Sequence, residues 1–280
     1  MLIDTHCHLD AAEFESDRDD VVDAAMASGV ACIVVPAVGA FNFATVAALS
    51  VRHHCVRYAL GIHPLHVDQA ADAELIALRE AVGRSIGDPR LVGIGEIGLD
   101  HFVPGLDRAK QERFFVEQLR IARDFDLPVI MHVRRAQDSV LKHLRRLRPR
   151  SGIAHAFNGS VQQASTFIDL GCVLGFGGAM TFTRALQIRR LAAAFSADAY
   201  VLETDAPDIA PSWINHQRNA PQQMPAIAQV FADLRGEPIE TVLAATGANA
   251  IRVLPRLAVT LPPSVSVKEI ASDTEIRPTP

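Results

Sequence analysis

The sequence predicts an α/β protein, a single-domain (β/α)8 TIM-like barrel. Eight short runs rich in β-branched residues recur along the chain, with longer amphipathic stretches between them. Strands that alternate with helices pair in parallel, because a parallel crossover needs a dozen residues or more. The length of 280 residues suits one barrel, which typically takes about 250. A doubly wound open sheet is the alternative, but no G-x-G-x-x-G follows the first strand run.

The strand runs are 1–5, 31–36, 56–62, 91–97, 127–133, 152–157, 171–177 and 199–203. The clearest helix spans 109–124, where Phe114, Phe115, Leu119, Ile121 and Ala122 follow a period near 3.6. A second helix covers 222–232, opened by the turn Asn219-Ala220-Pro221. A third covers 238–246, with Pro238 near its start. Beyond Arg256 the texture changes. Pro262, Pro263, Pro278 and Pro280 interrupt a stretch without sustained patterning. The expected organisation is a barrel over 1–256 and an extended, partly disordered tail over 257–280.

Composition excludes several classes. Hydrophobic residues are 49% and charged residues 21%, which rules out wholesale disorder. Lys plus Arg is 27 against 32 Asp plus Glu, a net charge of −5. That excludes a protein that coats nucleic acid by bulk charge, while leaving room for an enzyme that grips a strand locally. No apolar run approaches the roughly 20 residues that span a bilayer. The start, Met1-Leu2-Ile3-Asp4-Thr5-His6, lacks the basic and apolar regions of a signal peptide. Cys7, Cys32, Cys55 and Cys172 form no C-x-x-C pair, so they are expected to be buried thiols of a cytoplasmic protein.

The chemistry lies at strand ends. His6 and His8 flank Cys7, and residues two apart in a strand share a face. Both can aim at one point while Cys7 turns away. Alone, such a pair is as often structural as metal-binding. Glu96 ends an apolar, glycine-rich run, Gly93-Ile94-Gly95-Glu96-Ile97-Gly98. A carboxylate buried there needs a cation or donors. His132, His155 and Asp205 follow three further apolar runs. For each singly, a core histidine or a capping aspartate is the simpler explanation. Together they place His, Glu or Asp at strand ends one, four, five, six and eight, the face that carries catalysis in such barrels.

Four imidazoles and two carboxylates suffice for two divalent cations. Imidazole with carboxylate suits Zn, Mn, Fe or Co, and Mg less well. Two adjacent ions can lower the pKa of a shared water and stabilise an anionic leaving oxygen. That chemistry is ester or phosphodiester hydrolysis, and no serine nucleophile elbow competes with it.

These motifs resemble a known family. Asp4-Thr5-His6-Cys7-His8-Leu9-Asp10, Gly61-Ile62-His63-Pro64, the run from Gly93 to Asp100, the run from Leu127 to Arg134, His155-Ala156-Phe157-Asn158-Gly159 and Glu203-Thr204-Asp205-Ala206-Pro207 are similar to the TatD family of metal-dependent deoxyribonucleases. This is a branch of the amidohydrolase-like metal hydrolases. The likeness runs from about Met1 to Leu254, where the run from Ala244 to Asn249 is similar to the family's closing helix. It implies that His6, His8 and Asp205 bind a first metal. It implies that His132 and His155 bind a second, with Glu96 bridging. Zn, Mn and Mg are the candidate ions. His63 would face the pocket without being a primary ligand, although a structural turn fixed by Pro64 fits it equally. The departures are His101, Asn158 and Asp208, where the family usually has an aromatic, a serine and an aromatic.

The expected substrate is DNA, unpaired strands included, cleaved at phosphodiesters by a metal-activated water. Asp205 and Glu96 are the expected catalytic residues, and Glu203 ranks second to Asp205 as the base. Arg134 and Arg135 follow a ligand strand and can offer bidentate contacts to phosphate. Arg145 and Arg148 belong on an outer helix. Trp213, Phe102 and His101 lie on loops where they could stack on bases. A small ester, lactone, amide or aminoacyl-nucleic-acid bond is the alternative substrate, and a non-catalytic binding protein is the third reading. A monomer with no membrane partner is expected.

Overall fold

The computed structural model describes residues 1–214 and 216–260. Eight strands stand side by side in chain order: β1 (Leu2–Asp4), β2 (Val30–Pro36), β3 (Val56–Leu60), β4 (Leu91–Asp100), β5 (Val129–Arg134), β6 (Gly152–Ala154), β7 (Cys172–Phe176) and β8 (Tyr200–Leu202). Every neighbouring pair from β1 to β8 is parallel. The seam between β8 and β1 is bridged by single contacts. The Thr5 amide donates to the Leu202 carbonyl at 3.1 Å, the Asp205 amide to that of His6 at 2.8 Å, and the His8 amide to that of Ala206 at 2.7 Å. Beside them Asp4 accepts from the Thr204 hydroxyl at 2.6 Å and its amide at 2.9 Å. The result is the predicted (β/α)8 barrel.

The barrel interior is mainly apolar in its lower part, with buried Arg57 of β3 among the apolar side chains and donating to the carbonyls of His54 and Val56. Ile3, Cys32, Val34, Val92, Ile130, Ile153, Val173 and Val201 point inward from successive strands. β-branched residues suit this narrow, layered space. The surrounding helices are α1 (Arg18–Ala27), α2 (Phe43–Arg52), α3 (Ala73–Ser85), α4 (Arg108–Asp124), α5 (Gln137–Leu147), α6 (Val161–Asp169), α7 (Leu186–Ala194), α8 (Met224–Arg235), α9 (Ile239–Val253) and α10 (Leu257–Thr260).

The helix expected at 109–124 is α4. Asp107 caps it by accepting from the Lys110 amide, and its buried face holds Phe114, Phe115, Leu119, Ile121 and Ala122. The helix expected at 222–232 is α8, which begins after a short turn at Pro221–Gln223 and ends at left-handed Gly236. The helix expected to stop at residue 246 continues to Val253. A glycine at 247 suggests an ending, but its role is proximity: a Cβ there would meet the Met1 carbonyl at 2.5 Å.

The strand boundaries shift in one consistent way. β1, β6 and β8 stop before His6, His155 and Asp205, so those residues belong to the loops above them, whereas Glu96 and His132 lie within β4 and β5. Packing continues a few residues past the barrel boundary expected at Arg256. Leu257 is fully buried and closes the floor with Ala250, Val253 and Leu254. The Arg256 guanidinium donates to the carbonyls of Ile86, Asp88 and Leu91. The rest of the expected tail, 261–280, lies outside the described residues. All four cysteines are free and buried. Among the described residues no helix is long and apolar enough to cross a membrane.

Candidate metal centre

At the C-terminal mouth of the barrel the separate strand ends converge on Glu96. Its side chain is 1% exposed. Glycines flank its strand because the neighbouring backbones come close: a Cβ on Gly95 would meet Ile130 at 2.7 Å, and one on Gly61 would meet the backbone of Gly95. One carboxylate oxygen, Oε2, lies 3.1 Å from His6 Nε2 and 3.3 Å from His8 Nε2. The other, Oε1, lies 3.0 Å from His132 Nδ1, 3.2 Å from His155 Nε2 and 3.3 Å from His63 Nε2. Each oxygen thus faces its own group of imidazoles.

Asp205 closes the first group, with Oδ1 3.5 Å from His6 Nε2 and 3.7 Å from His8 Nε2. Its backbone is left-handed, at φ 56°, a conformation that few non-glycine residues adopt but that aspartate tolerates. Ala206-Pro207 then turn the chain away. His155 stands between the groups, stacked on His6 with ring centroids 3.9 Å apart. His63 faces the same pocket, with Nε2 3.2 Å from His132 Nδ1.

Could these residues hold cations? Glu96 Oε2 is buried and has no hydrogen-bond partner among the described residues. His6 Nε2 and His8 Nε2 lie 3.2 Å apart and point at the same place. Three overlapping groups each bring their ligand atoms within 4.8 Å of one another: His6, His8 and Glu96; His6, His155 and Asp205; His63, Glu96 and His132. A buried polar atom without a partner is costly, and a divalent ion relieves that cost. The donor set, imidazole and carboxylate without thiolate, fits such ions.

The electrostatics agree with a strongly coupled cluster. Burial works against the charge of Glu96, but the surrounding histidines hold its carboxyl well below the usual range. Burial pushes His63 down to about 4 and Asp205 up to about 6.

A second ring of residues orients the first. His132 gives its other nitrogen, Nε2, to Asp100 Oδ2 at 2.9 Å. Asp100 is itself buried and accepts from the Phe102 and Val103 amides at 2.8 and 2.9 Å. Burial opposes its charge, yet the His132 bond and these amides hold it down to about 2. Glu203 accepts from the Ala156 amide and lies 3.5 Å from His155 Nδ1. Such partners fix ring orientation and tautomer in metal sites. The sequence pattern alone assigns Asp100 no role. The available signal was position, since Asp100 sits four residues after Glu96 on one strand. Glu203 considered as a base is instead deep, 1% exposed, and turned toward His155.

The expected substrate contacts stand on the rim. Arg134 is exposed, and its guanidinium stacks 3.9 Å from the Phe102 ring centroid, with Arg135 at 4.7 Å. Arg134 also approaches Asp100 Oδ2 at 3.9 Å. Trp213 is 44% exposed, and its Nε1 donates to Gln223 Oε1 at 2.8 Å. Arg145 and Arg148 lie exposed on α5 and at its end, away from the mouth.

An eight-stranded barrel whose mouth gathers imidazoles and carboxylates in this way defines a metal-dependent hydrolase. Residues 3–255 match the profile of the TatD related DNase family. The chain belongs to that family. It is 39% identical over 241 residues to the uncharacterized metal-dependent hydrolase YjjV of Escherichia coli K12, covering 86% of this chain and 92% of that one. The crystal structure of the YjjV TatD homologue superposes with a TM-score of 0.87 at 38% identity, over 91% of this chain and 98% of that one. Human deoxyribonuclease TATDN3 is 30% identical over 266 residues, 91% of this chain and 95% of its own.

Proposed function

We propose that this protein cleaves phosphodiester bonds of DNA and that two divalent cations serve the reaction. The observation that carries this reading is the division of Glu96, whose two buried oxygens face two different groups of histidines. His6, His8 and Asp205 would hold one ion, His132 and His155 the other, and Glu96 would serve both. When bound, such a pair supplies Lewis acidity at the phosphoryl oxygens and a water that ionises near neutral pH. The name of the human relative, a deoxyribonuclease at 30% identity, supports DNA as the substrate.

The chain's own residues do the rest. Asp205 is the carboxylate of the centre nearest solvent, 13% exposed against 1% for Glu96. It orients the attacking water and takes its proton. Asp100 keeps the His132 ring in place, and Glu203 lies beside that of His155. Arg134 and Arg135 neutralise phosphate at the rim, where planar guanidinium suits paired oxygens.

The test joins elemental analysis to turnover. Protein reloaded with Mn or Zn should hold close to two equivalents per chain and cleave a labelled single-stranded oligonucleotide. Occupancy near zero after reloading would overturn the dinuclear reading. Full occupancy with turnover of lactones or esters but no oligonucleotide would assign the centre to small substrates.

A further inference from the structure

On the rim across from Arg134, an aromatic side chain stands where folding gives it nothing to do. Phe41 is 71% exposed, far more than a ring of that size needs for packing. It sits in the short turn Ala40–Asn42 that follows β2, so it lies on the same face as the candidate centre.

The turn holds this ring deliberately. The Asn42 side chain accepts from the Val38 and Gly39 amides at 3.1 and 3.2 Å and donates to Asp10 Oδ2 at 2.7 Å. The Phe41 ring rests against Gly39: a Cβ at that position would meet ring atom Cε1 at 2.5 Å. Any side chain at 39 would displace the ring, so glycine there serves the placement of Phe41. The ring's edge contact is His66, with centroids 5.5 Å apart and planes at 64°. His66 in turn stands 6.2 Å from His63, whose Nε2 is 3.3 Å from Glu96 Oε1. A run of three rings therefore leads from open solvent to the centre.

Two features select the occupant. Phe102, the exposed ring of the other rim, is already covered by Arg134 and Arg135. No Lys or Arg of the described residues is placed over Phe41 in that way. The loop 37–42 also carries no charged side chain, so nothing on it repels a phosphate or needs a counter-charge. A flat, neutral, exposed ring on the rim of the mouth matches the face of an unpaired base.

We infer that Phe41 is a stacking platform for a nucleobase of the substrate strand, on the rim beyond His63 and His66 and therefore for a base displaced along the strand from the scissile phosphate, with His66 bracing the ring. The inference rests on the phosphodiesterase reading above. It makes the bound substrate an unpaired strand at that position, because a base in a duplex has no free face to offer.

The experiment compares wild type, Phe41→Ala and Phe41→Trp on a single-stranded oligonucleotide and on the same strand carrying one abasic sugar at successive positions. Phe41→Ala should raise KM about tenfold, the scale of one lost base stack, and leave kcat nearly unchanged. Phe41→Trp should restore KM. At one position the abasic sugar should cost wild type the same factor and the Ala variant nothing more. Anisotropy of a labelled strand in EDTA should show the same loss without turnover. If wild type cleaves the strand and Phe41→Ala matches it in both KM and anisotropy, the platform is overturned while the phosphodiesterase reading survives. If wild type neither binds nor cleaves any oligonucleotide, the underlying reading falls as well. A dimer that becomes a monomer in the Ala variant would instead assign Phe41 to a contact between copies of this chain and overturn the inference.

Discussion

The floor and the mouth of the barrel share the same strands and differ in what fills them. On β5 the inward position is Ile130, and two residues higher it is His132. On the sixth strand Ile153 gives way to His155, and on the eighth Val201 gives way to Glu203. One step along a strand, with the side chain kept on the same face, exchanges hydrocarbon for a titratable group. The floor is closed by Ala250, Val253, Leu254 and Leu257. The mouth crowds imidazoles and carboxylates together and leaves Glu96 Oε2 and Glu203 Oε2 without partners among the described residues. The floor can spend its burial on stability, at about 1.5–3 kcal/mol per large apolar side chain. The mouth gives stability up by leaving buried polar atoms without partners.

That division can be broken from both ends. Asp205→Asn keeps the shape and loses the proton acceptor. It should slow turnover about a hundredfold or more while the melting temperature stays close to wild type. Leu254→Ala should do the reverse, removing about 2–5 kcal/mol of stability while kcat per folded molecule is retained. Turnover at matched metal occupancy, set beside denaturant unfolding, checks both. An Asn variant that keeps more than about a tenth of wild-type turnover would leave Asp205 a ligand only. A floor variant that lost turnover in proportion to nothing but its own kcat would mean that the two halves are mechanically coupled.

A smaller effect sharpens the comparison within the mouth. Arg134→Ala should raise KM for DNA about tenfold and reduce its salt slope by about 1. Arg145→Ala, on the outer face of α5, should change neither. Salt titration of both variants is the measurement, and equal effects would mean that the strand runs over the barrel's side.

The smallest effect belongs to the floor and outer core. Burial pushes the thiols of Cys32 and Cys172 up to about 12, and those of Cys7 and Cys55 upward as well. Alkylation needs the thiolate. Native protein at pH 8 should therefore take up no iodoacetamide, and unfolded protein should take up four equivalents, one for each cysteine.

Much of this was legible in the sequence, for physical reasons that differ by residue. α4 was clear because its apolar face keeps a helical period over its whole length. The gathering of His6, His8, Glu96, His132, His155 and Asp205 at the mouth was legible because a polar side chain at the end of an apolar strand breaks the pattern locally. Asp100 was not, because an aspartate at a strand end also serves as a turn former. The last turns of α9 were hidden by Gly247, where closeness to Met1 and not helix ending is the cause. Phe41 gave no signal at all. An aromatic among Ala40, Phe43 and Val46 has the pattern of core, and only the fold shows its ring facing solvent.

The seam between the first and last strands gives the centre a place in time as well as in space. Asp4 and Thr204, which meet across it, are 200 residues apart in the chain. His6 and His8 are synthesised near the start, and the carboxylate of Asp205 that faces them emerges only after all eight strands. A chain interrupted before its eighth strand carries the histidines without that partner and without the bonds that hold the two ends together. Closure of the barrel is therefore what brings the Asp205 carboxylate to His6 and His8, and an unfinished copy lacks that juxtaposition.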